Sequence, residues 1–227
     1  MRKWNNLPEE MKTPQVKKYY DILEKKKFSL FLKRLFDLVV SFLMLVALSP
    51  VFLLIAIAIK IDSPGPVFYR QTRVTRYGEQ FRIFKFRSMV TDADRSSRLT
   101  VGKDSRITRV GAFIRKYKID ELSQLIDVFR GTMSFVGTRP EVPEYVEKYT
   151  EEMMATLLLP AGITSVASVC YKDENDLLAA SVNPEQTYIN EVLPDKMRYN
   201  LKAIEDFSFF GEIKVMFMTA FAMFSDD

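Results

Sequence analysis

From Leu38 to Ile59 the chain runs without a charged residue, while charges are frequent on either side of it. About 20 apolar residues suffice to cross a bilayer, so this run predicts a membrane helix. Two features argue against a simple crossing. Pro50 stands mid-run, where it removes a backbone donor and kinks a helix, with the Ser49 hydroxyl beside it to satisfy a freed carbonyl. Cations also stand on both sides, Lys33 and Arg34 before and Lys60, Arg70, Arg73 and Arg76 after, where a spanning helix should show a one-sided bias. The favoured reading is a re-entrant hairpin broken at Ser49-Pro50, each arm about 11 residues or roughly 16 Å, half the hydrocarbon thickness. A cleaved leader does not fit, because acidic residues are scattered through the long segment before it.

The periodicity elsewhere is that of a soluble domain. Residues 1–34 are highly charged, with too few apolar positions for a core of their own. A helix opened by Pro14 and carrying Tyr19, Tyr20, Ile22 and Leu23 reads equally as an interfacial helix or a mobile arm. After the exit turn Asp62-Ser63-Pro64-Gly65-Pro66, Val67 to Thr75 and Gln80 to Phe86 alternate like two strands of a hairpin. Thr91 to Thr108 reads as a polar loop with a short helix, its carboxylates not spaced for calcium. A short helix is expected over Val110 to Lys116, a strand over Met133 to Val136, a helix over Tyr145 to Leu159 and a strand over Ile163 to Tyr171 with Cys170 buried. Asp173, Glu174 and Asp176 look like a solvated acidic turn. Phe207 to Phe224 predicts an amphipathic helix, either of the core or, as favoured beside an anchor, of the membrane surface. The sum is a helix-rich α/β (α+β) fold in three segments: 1–34 interfacial or flexible, 35–60 the membrane hairpin, and 61–227 the main domain.

One stretch concentrates the candidate chemistry. Leu122, Leu125, Ile126 and Phe129 recur at i, i+3, i+4 and i+7, Asp120 stands where such a helix would start and Gly131 where it would stop. Asp120 and Glu121 thus open a helix at its positive end, amid Arg115, Lys116, Lys118, Arg130 and Arg139. On that stretch taken alone an ordinary helix cap is the favoured reading over a phosphate-handling carboxylate pair. Lys85 and Arg87 alternate with aromatics, either as solvated strand cations or as a phosphate clamp. Arg139, beside Pro140, suits a fork for a phosphate or a base edge.

Composition narrows the choice. The 227 residues contain no histidine and one cysteine, so His-dependent nucleophile pairs, His-ligated zinc and an internal disulfide are excluded. Chemistry must rest on carboxylates, Lys, Arg, hydroxyls and hard metal ions. A net charge of +4 is too small to argue for nucleic acid, though it suits anionic lipid or phosphate.

Taken in order, Lys33-Arg34 with Asp37, Ser49-Pro50, Ser63-Pro64-Gly65-Pro66-Val67-Phe68-Tyr69-Arg70-Gln71, Lys85-Phe86-Arg87-Ser88-Met89, Asp104-Ser105-Arg106-Ile107-Thr108, Asp120-Glu121-Leu122, Met133-Ser134-Phe135-Val136-Gly137, Arg139-Pro140 and Gly162-Ile163-Thr164 resemble one family. The chain is similar to the bacterial sugar transferases, monotopic phosphoglycosyl transferases acting on polyprenyl phosphate. That resemblance implies transfer of a phosphosugar from a UDP-sugar to polyprenyl phosphate with release of UMP, an early membrane step of glycoconjugate assembly on the cytoplasmic face of the inner membrane. It implies that Asp120 attacks the β-phosphate to form a covalent intermediate, that Glu121 with Asp120 holds Mg²⁺, and that Lys85, Arg87, Arg106, Arg139 and Pro140 contact the donor. The implied partners are the UDP-sugar, polyprenyl phosphate, membrane lipids and downstream glycosyltransferases, with no nucleic acid. A non-catalytic scaffold anchored in the same pathway is the alternative. Departures from the family pattern are Thr138 for a proline, the added Ala161, Ser165 and Ser168 for a Gly and a Gln, and the lack of an Arg from Met153 to Leu159. These bear on the sugar more than on the chemistry.

Overall fold

The computed structural model describes residues 1–90, 106–171 and 174–224. The polar stretch 91–105 and Asp173 therefore lie outside the described residues. The chain opens with two single 3-10 turns, Trp4–Asn6 and Glu9–Met11. Helix α1 (Pro14–Lys25) follows, capped by the Thr13 side chain on Val16 N with Pro14 in its first turn. Val16, Tyr19, Tyr20 and Leu23 fall at i, i+3, i+4 and i+7, and all four are buried together with Leu7 and Met11 against Tyr77, Leu157, Leu201 and Ile204. The Tyr19 hydroxyl donates to Glu152 at 2.6 Å, and Lys26 Nζ to the Phe207 carbonyl at 2.6 Å. Residues 1–26 thus complete a core whose other half comes from the far end of the chain. Neither a mobile arm nor an interfacial helix describes them.

Helix α2 (Lys27–Asp62) is one 36-residue helix with Pro50 inside it, and Ser49 Oγ donates to the Val46 carbonyl at 2.8 Å. Two separate arms were expected; the helix instead runs on through the proline. Its buried residues are Lys33, Asp37, Ser41 and Ile59, whereas Phe42, Leu43, Val46, Leu53 and Leu54 are exposed. That inversion of the soluble pattern is what a lipid-facing helix shows.

The expected hairpin forms in two pieces. Strands β1 (Phe68–Tyr69), β2 (Thr72–Val74), β3 (Gln80–Arg82) and β4 (Lys85–Phe86) pair as β2–β3 and β1–β4, both antiparallel, around a turn at Arg76–Gly78. Helix α3 (Arg109–Lys116) is capped twice, by Thr108 on Gly111 N and by Asp62 on Val110 N. A left-handed Lys118 (φ 52°) then turns the chain into a 3-10 segment, Ile119–Gln124, that runs straight into α4 (Leu125–Arg130). Gly131 ends α4 at φ 83°, the left-handed conformation glycine adopts without cost. The regular helix therefore starts five residues after Asp120. Leu125 and Val128 face the core, Ile126 is half-buried, and Phe129 is exposed.

Strand β5 (Met133–Val136), then α5 (Pro143–Val146) and a 3-10 turn at Met153–Leu158 lead to β6 (Ala161–Thr164), which pairs parallel with β5. No single helix covers Tyr145 to Leu159. Ala155, Thr156, Leu157 and Leu158 are buried in succession, and all-round burial leaves no polar face for an amphipathic helix. The strand expected from Ile163 to Tyr171 stops at Thr164, because the Ser165 side chain accepts from Ser168 N and starts α6 (Val166–Cys170). Cys170 is exposed, not buried. Helices α7 (Glu174–Ala179), α8 (Pro184–Thr187) and α9 (Leu193–Glu205) follow, with a π turn at Tyr188–Val192. Helix α10 (Phe209–Phe224) sets Val215 and Met216 against the β5–α4 cluster and leaves Phe210, Phe217 and Phe221 exposed. The core reading of this last helix holds for one of its faces.

Candidate active site

Asp120 is buried, and its carboxylate lies 3.0 Å from Lys85 Nζ. Glu121 points the same way: one oxygen is 3.5 Å from Lys85 Nζ and 2.6 Å from Arg139 Nη2. Three segments distant in sequence therefore meet: β4 brings Lys85, the 3-10 turn brings the two carboxylates, and the loop after β5 brings Arg139. Placing adjacent residues of a 3-10 turn on one cationic pair needs the left-handed Lys118, which re-aims the chain just before them. Burial pushes the Glu121 carboxyl up, but the charges and hydrogen bonds of Arg139 and Lys85 together outweigh it and hold it at about 2. Glu121 in turn raises the Arg139 guanidinium.

The loop carrying Arg139 is fixed through its backbone. Gly137 N donates to the Thr164 carbonyl and Gly162 N to the Thr138 carbonyl, each at 2.9 Å. A Cβ on Gly162 would stand 2.2 Å from Gly137 N, so only glycine allows this approach. Thr138, in place of a proline, is thus held by main-chain bonds to β6 rather than by a ring. Pro140 is buried, and its carbonyl accepts from Arg73 Nη1 at 3.1 Å. Arg106 gives its carbonyl to Val90 N at 2.9 Å, which sets it beside the segment continuing from β4.

Arg87 goes elsewhere. It is buried, and its guanidinium donates to the carbonyls of Pro64 (2.8 Å), Ser63 (2.6 Å) and Ile59 (3.4 Å) and to Ser63 Oγ (3.0 Å). It closes the C-terminal end of α2, the role a cation fills at unpaired carbonyls. The structure does not bring it to the carboxylate pair.

Two groups near Arg139 escaped the sequence reading. Glu141 is buried and accepts from the Tyr188 hydroxyl at 2.5 Å, while its own carbonyl accepts from Val74 N at 2.9 Å. Lys196, also buried, bonds Glu174 at 2.9 Å and lies 5.3 Å from the Tyr188 ring centroid. Glu141 could have been suspected from its place after Arg139-Pro140; nothing local marks Tyr188 or Lys196.

The family model described as bacterial sugar transferase matches residues 28–226. The chain belongs to that family. A UDP-glucose:undecaprenyl-phosphate glucose-1-phosphate transferase of Escherichia coli (strain K12) is 36% identical over 198 residues, 85% of this chain and 40% of the relative. An undecaprenyl-phosphate glucose phosphotransferase of Komagataeibacter xylinus is 38% identical over 195 residues, 82% of this chain and 35% of the relative. A UDP-N-acetylgalactosamine-undecaprenyl-phosphate N-acetylgalactosaminephosphotransferase of Aeromonas hydrophila is 33% identical over 193 residues, 83% of this chain and 43% of the relative. The chain spans about two-fifths of the length of these relatives. Within the family, the Lys85, Asp120, Glu121 and Arg139 constellation is the candidate centre of a sugar transferase.

Proposed function

We propose that the chain transfers a phosphosugar from a UDP-sugar to polyprenyl phosphate in two displacements through Asp120. The observation that carries this is the buried Asp120 carboxylate, 3.0 Å from Lys85, beside a Glu121 anchored by Arg139. In the first step an Asp120 oxygen bonds to the β-phosphorus while the bridging bond to UMP breaks, and UMP leaves with that electron pair. In the second, an oxygen of polyprenyl phosphate attacks the same phosphorus, forming the lipid diphosphosugar and restoring the carboxylate. Splitting one displacement into two suits a carboxylate nucleophile and requires no histidine. Lys85 and Arg139 follow the charge as it moves between oxygens.

The four groups Lys85, Asp120, Glu121 and Arg139 sum to zero charge, so an incoming diphosphate needs further positive charge. Among the described residues no group of three His, Cys, Asp or Glu could hold a metal. Two adjacent carboxylates do fit Mg²⁺, which is usually held by one or two carboxylates together with substrate phosphates. Bound between Asp120, Glu121 and the donor, it would neutralise the diphosphate and the departing UMP. The relatives are named for glucose and for N-acetylgalactosamine, so the donor here is proposed as a UDP-hexose or UDP-N-acetylhexosamine.

The same reading places α2 in one leaflet. Along its length α2 touches the domain: Lys33 Nζ donates to the Val136 carbonyl at 2.8 Å, Phe36 meets Phe135, Phe52 meets Phe86, and Ile59 packs with Phe86 and Ile114. A full crossing would draw these partners into hydrocarbon. Entry from one side keeps Lys33 and Lys60 on the cytoplasmic face. Cysteines at positions 3 and 60 should then be labelled from that face only, and labelling from opposite faces would refute it.

Intact mass after incubation with a panel of UDP-sugars and Mg²⁺, without lipid acceptor, tests the chemistry. A phosphosugar adduct on the wild type and none on Asp120→Asn is expected. No adduct with any donor on folded, membrane-bound protein would favour the scaffold alternative.

A further inference from the structure

Phe84 sits next to Lys85 in sequence but belongs to a different site. Its ring packs edge-on against Phe68 at 5.4 Å, and Phe86 stacks on the same Phe68 at 5.2 Å, while Lys85 between them reaches Asp120. The Arg70 guanidinium lies 3.5 Å from the Phe84 ring centroid and that of Arg130 lies 5.9 Å away. Arg82 joins them: Arg70 Nη2 donates to the Arg82 carbonyl at 2.6 Å and Arg82 Nη2 to the Arg70 carbonyl at 3.2 Å. Two guanidiniums therefore face one ring, and a third, that of Arg82, is bonded to the backbone of Arg70.

Their charge is only partly neutralised locally. Among the described residues none of the three has a carboxylate within ion-pair distance, and Arg70 Nε is buried without a hydrogen-bond partner. Asp127 is the near acid; its carboxylate accepts from Phe84 N at 2.8 Å and offsets part of the charge of Arg70 and Arg130. Burial first, and then the repulsion of Arg82 and Arg130, hold the Arg70 guanidinium below its ordinary value, with Asp127 opposing. Like charges held together on an aromatic platform form a receptor for a phosphate, which guanidinium forks bind bidentately. The surroundings say which phosphate. Phe129, adjacent to Arg130, packs on Phe42 at 6.0 Å, inside the charge-free run of α2. Arg34 of α2 donates to the Val128 and Phe129 carbonyls at 2.7 and 2.9 Å, fixing that junction. Arg130 of the cluster thus lies next to a contact between the domain and the apolar run of α2.

We propose that Arg70, Arg82 and Arg130 form a binding site for the phosphate of an anionic membrane phospholipid, separate from the catalytic carboxylates. It rests on the one-leaflet reading of α2 but not on the chemistry, and its test requires no turnover. The purified full chain in detergent is mixed with equal phosphatidylglycerol, phosphatidylcholine and polyprenyl phosphate, and bound lipids are counted by native mass spectrometry. The wild type should carry phosphatidylglycerol in several-fold excess. Arg70→Gln/Arg130→Gln should bring the ratio close to one, and the exposed Arg82→Gln alone should lower it with little risk to folding. Lys17→Gln/Lys18→Gln, which removes the same charge from α1, should leave it unchanged. An excess that survives in the arginine variants, or that falls equally in the α1 variant, would overturn the site. So would loss of polyprenyl phosphate adducts with phosphatidylglycerol retained, which would give the cluster to the acceptor instead.

Discussion

One lysine–carboxylate cluster is bonded to β5 and another meets at the loop that follows it, and the contrast between them separates the proposed chemistry from architecture. In the first, Lys33 is buried, pairs with Glu212 of α10 and donates to the Val136 carbonyl, while Asp37 accepts from Phe135 N at 3.3 Å. Those charges are bound to the main chain of β5 and fasten α2, β5 and α10 into one unit. In the second, Lys85 and Arg139 meet Asp120 and Glu121 through side chains alone, with Lys85 28% and Arg139 45% exposed. A main-chain partner cannot be displaced by a ligand; a side-chain partner at an opening can. The residue types are the same, and the partner decides the role.

The sharpest break in that comparison comes from the two aspartates and their lysines. Asp120→Asn should lower UMP release by on the order of 10⁴-fold or more, the scale on which loss of a nucleophile is felt, while the melting temperature stays near that of the wild type. Lys33→Met should do the reverse. Leaving Glu212 and Asp37 unpaired in a buried site should cost about 3–5 kcal/mol of stability, read as a lower midpoint of thermal or denaturant unfolding in detergent. A variant at Lys33 that kept full stability while losing activity would erase the distinction. A smaller effect is expected at Arg139→Lys, which keeps the charge but loses the fork that grips Glu121: activity down about tenfold, or about 1.4 kcal/mol.

The two clusters also differ in how far they could be read from the chain. Lys33 and Asp37 sit in a motif the family resemblance singles out, yet a pair of charges at the head of an apolar run gives no sign that Glu212, 179 residues away, is the partner. Asp120, Glu121, Lys85 and Arg139 were legible as candidates mainly through the family resemblance, because the stretch alone reads as an ordinary helix cap and the absence of histidine only narrows the choice. Their local geometry was not, since the left-handed Lys118 and the 3-10 turn are set by packing rather than periodicity. Arg87 misled for a related reason: period-two spacing from Lys85 suggests a shared task, but four oxygen acceptors at the end of α2 outcompete a ligand. Residues 1–26 misled because Val16, Tyr19, Tyr20 and Leu23 make a stripe only four residues deep, too little for a core until the remainder is supplied by Leu157, Leu201 and Ile204.

The smallest effect expected concerns acid, and it isolates Glu121. Its carboxyl is held at about 2 in the folded chain against an ordinary value of 4.5. A depressed value means that the unfolded state binds the proton more readily than the folded state. The stability Glu121 contributes is therefore fully present above pH 4.5 and is lost as the pH falls towards 2. Other carboxylates titrate in the same range, so the measurement is the difference between wild type and Glu121→Gln, followed by thermal unfolding across that window. The wild type should lose stability more steeply than the variant, and the two curves should draw together at the acid end. Parallel curves would mean that Arg139 and Lys85 do not grip Glu121 in the folded protein, and the side-chain cluster would lose the ion pair that aligns its two carboxylates.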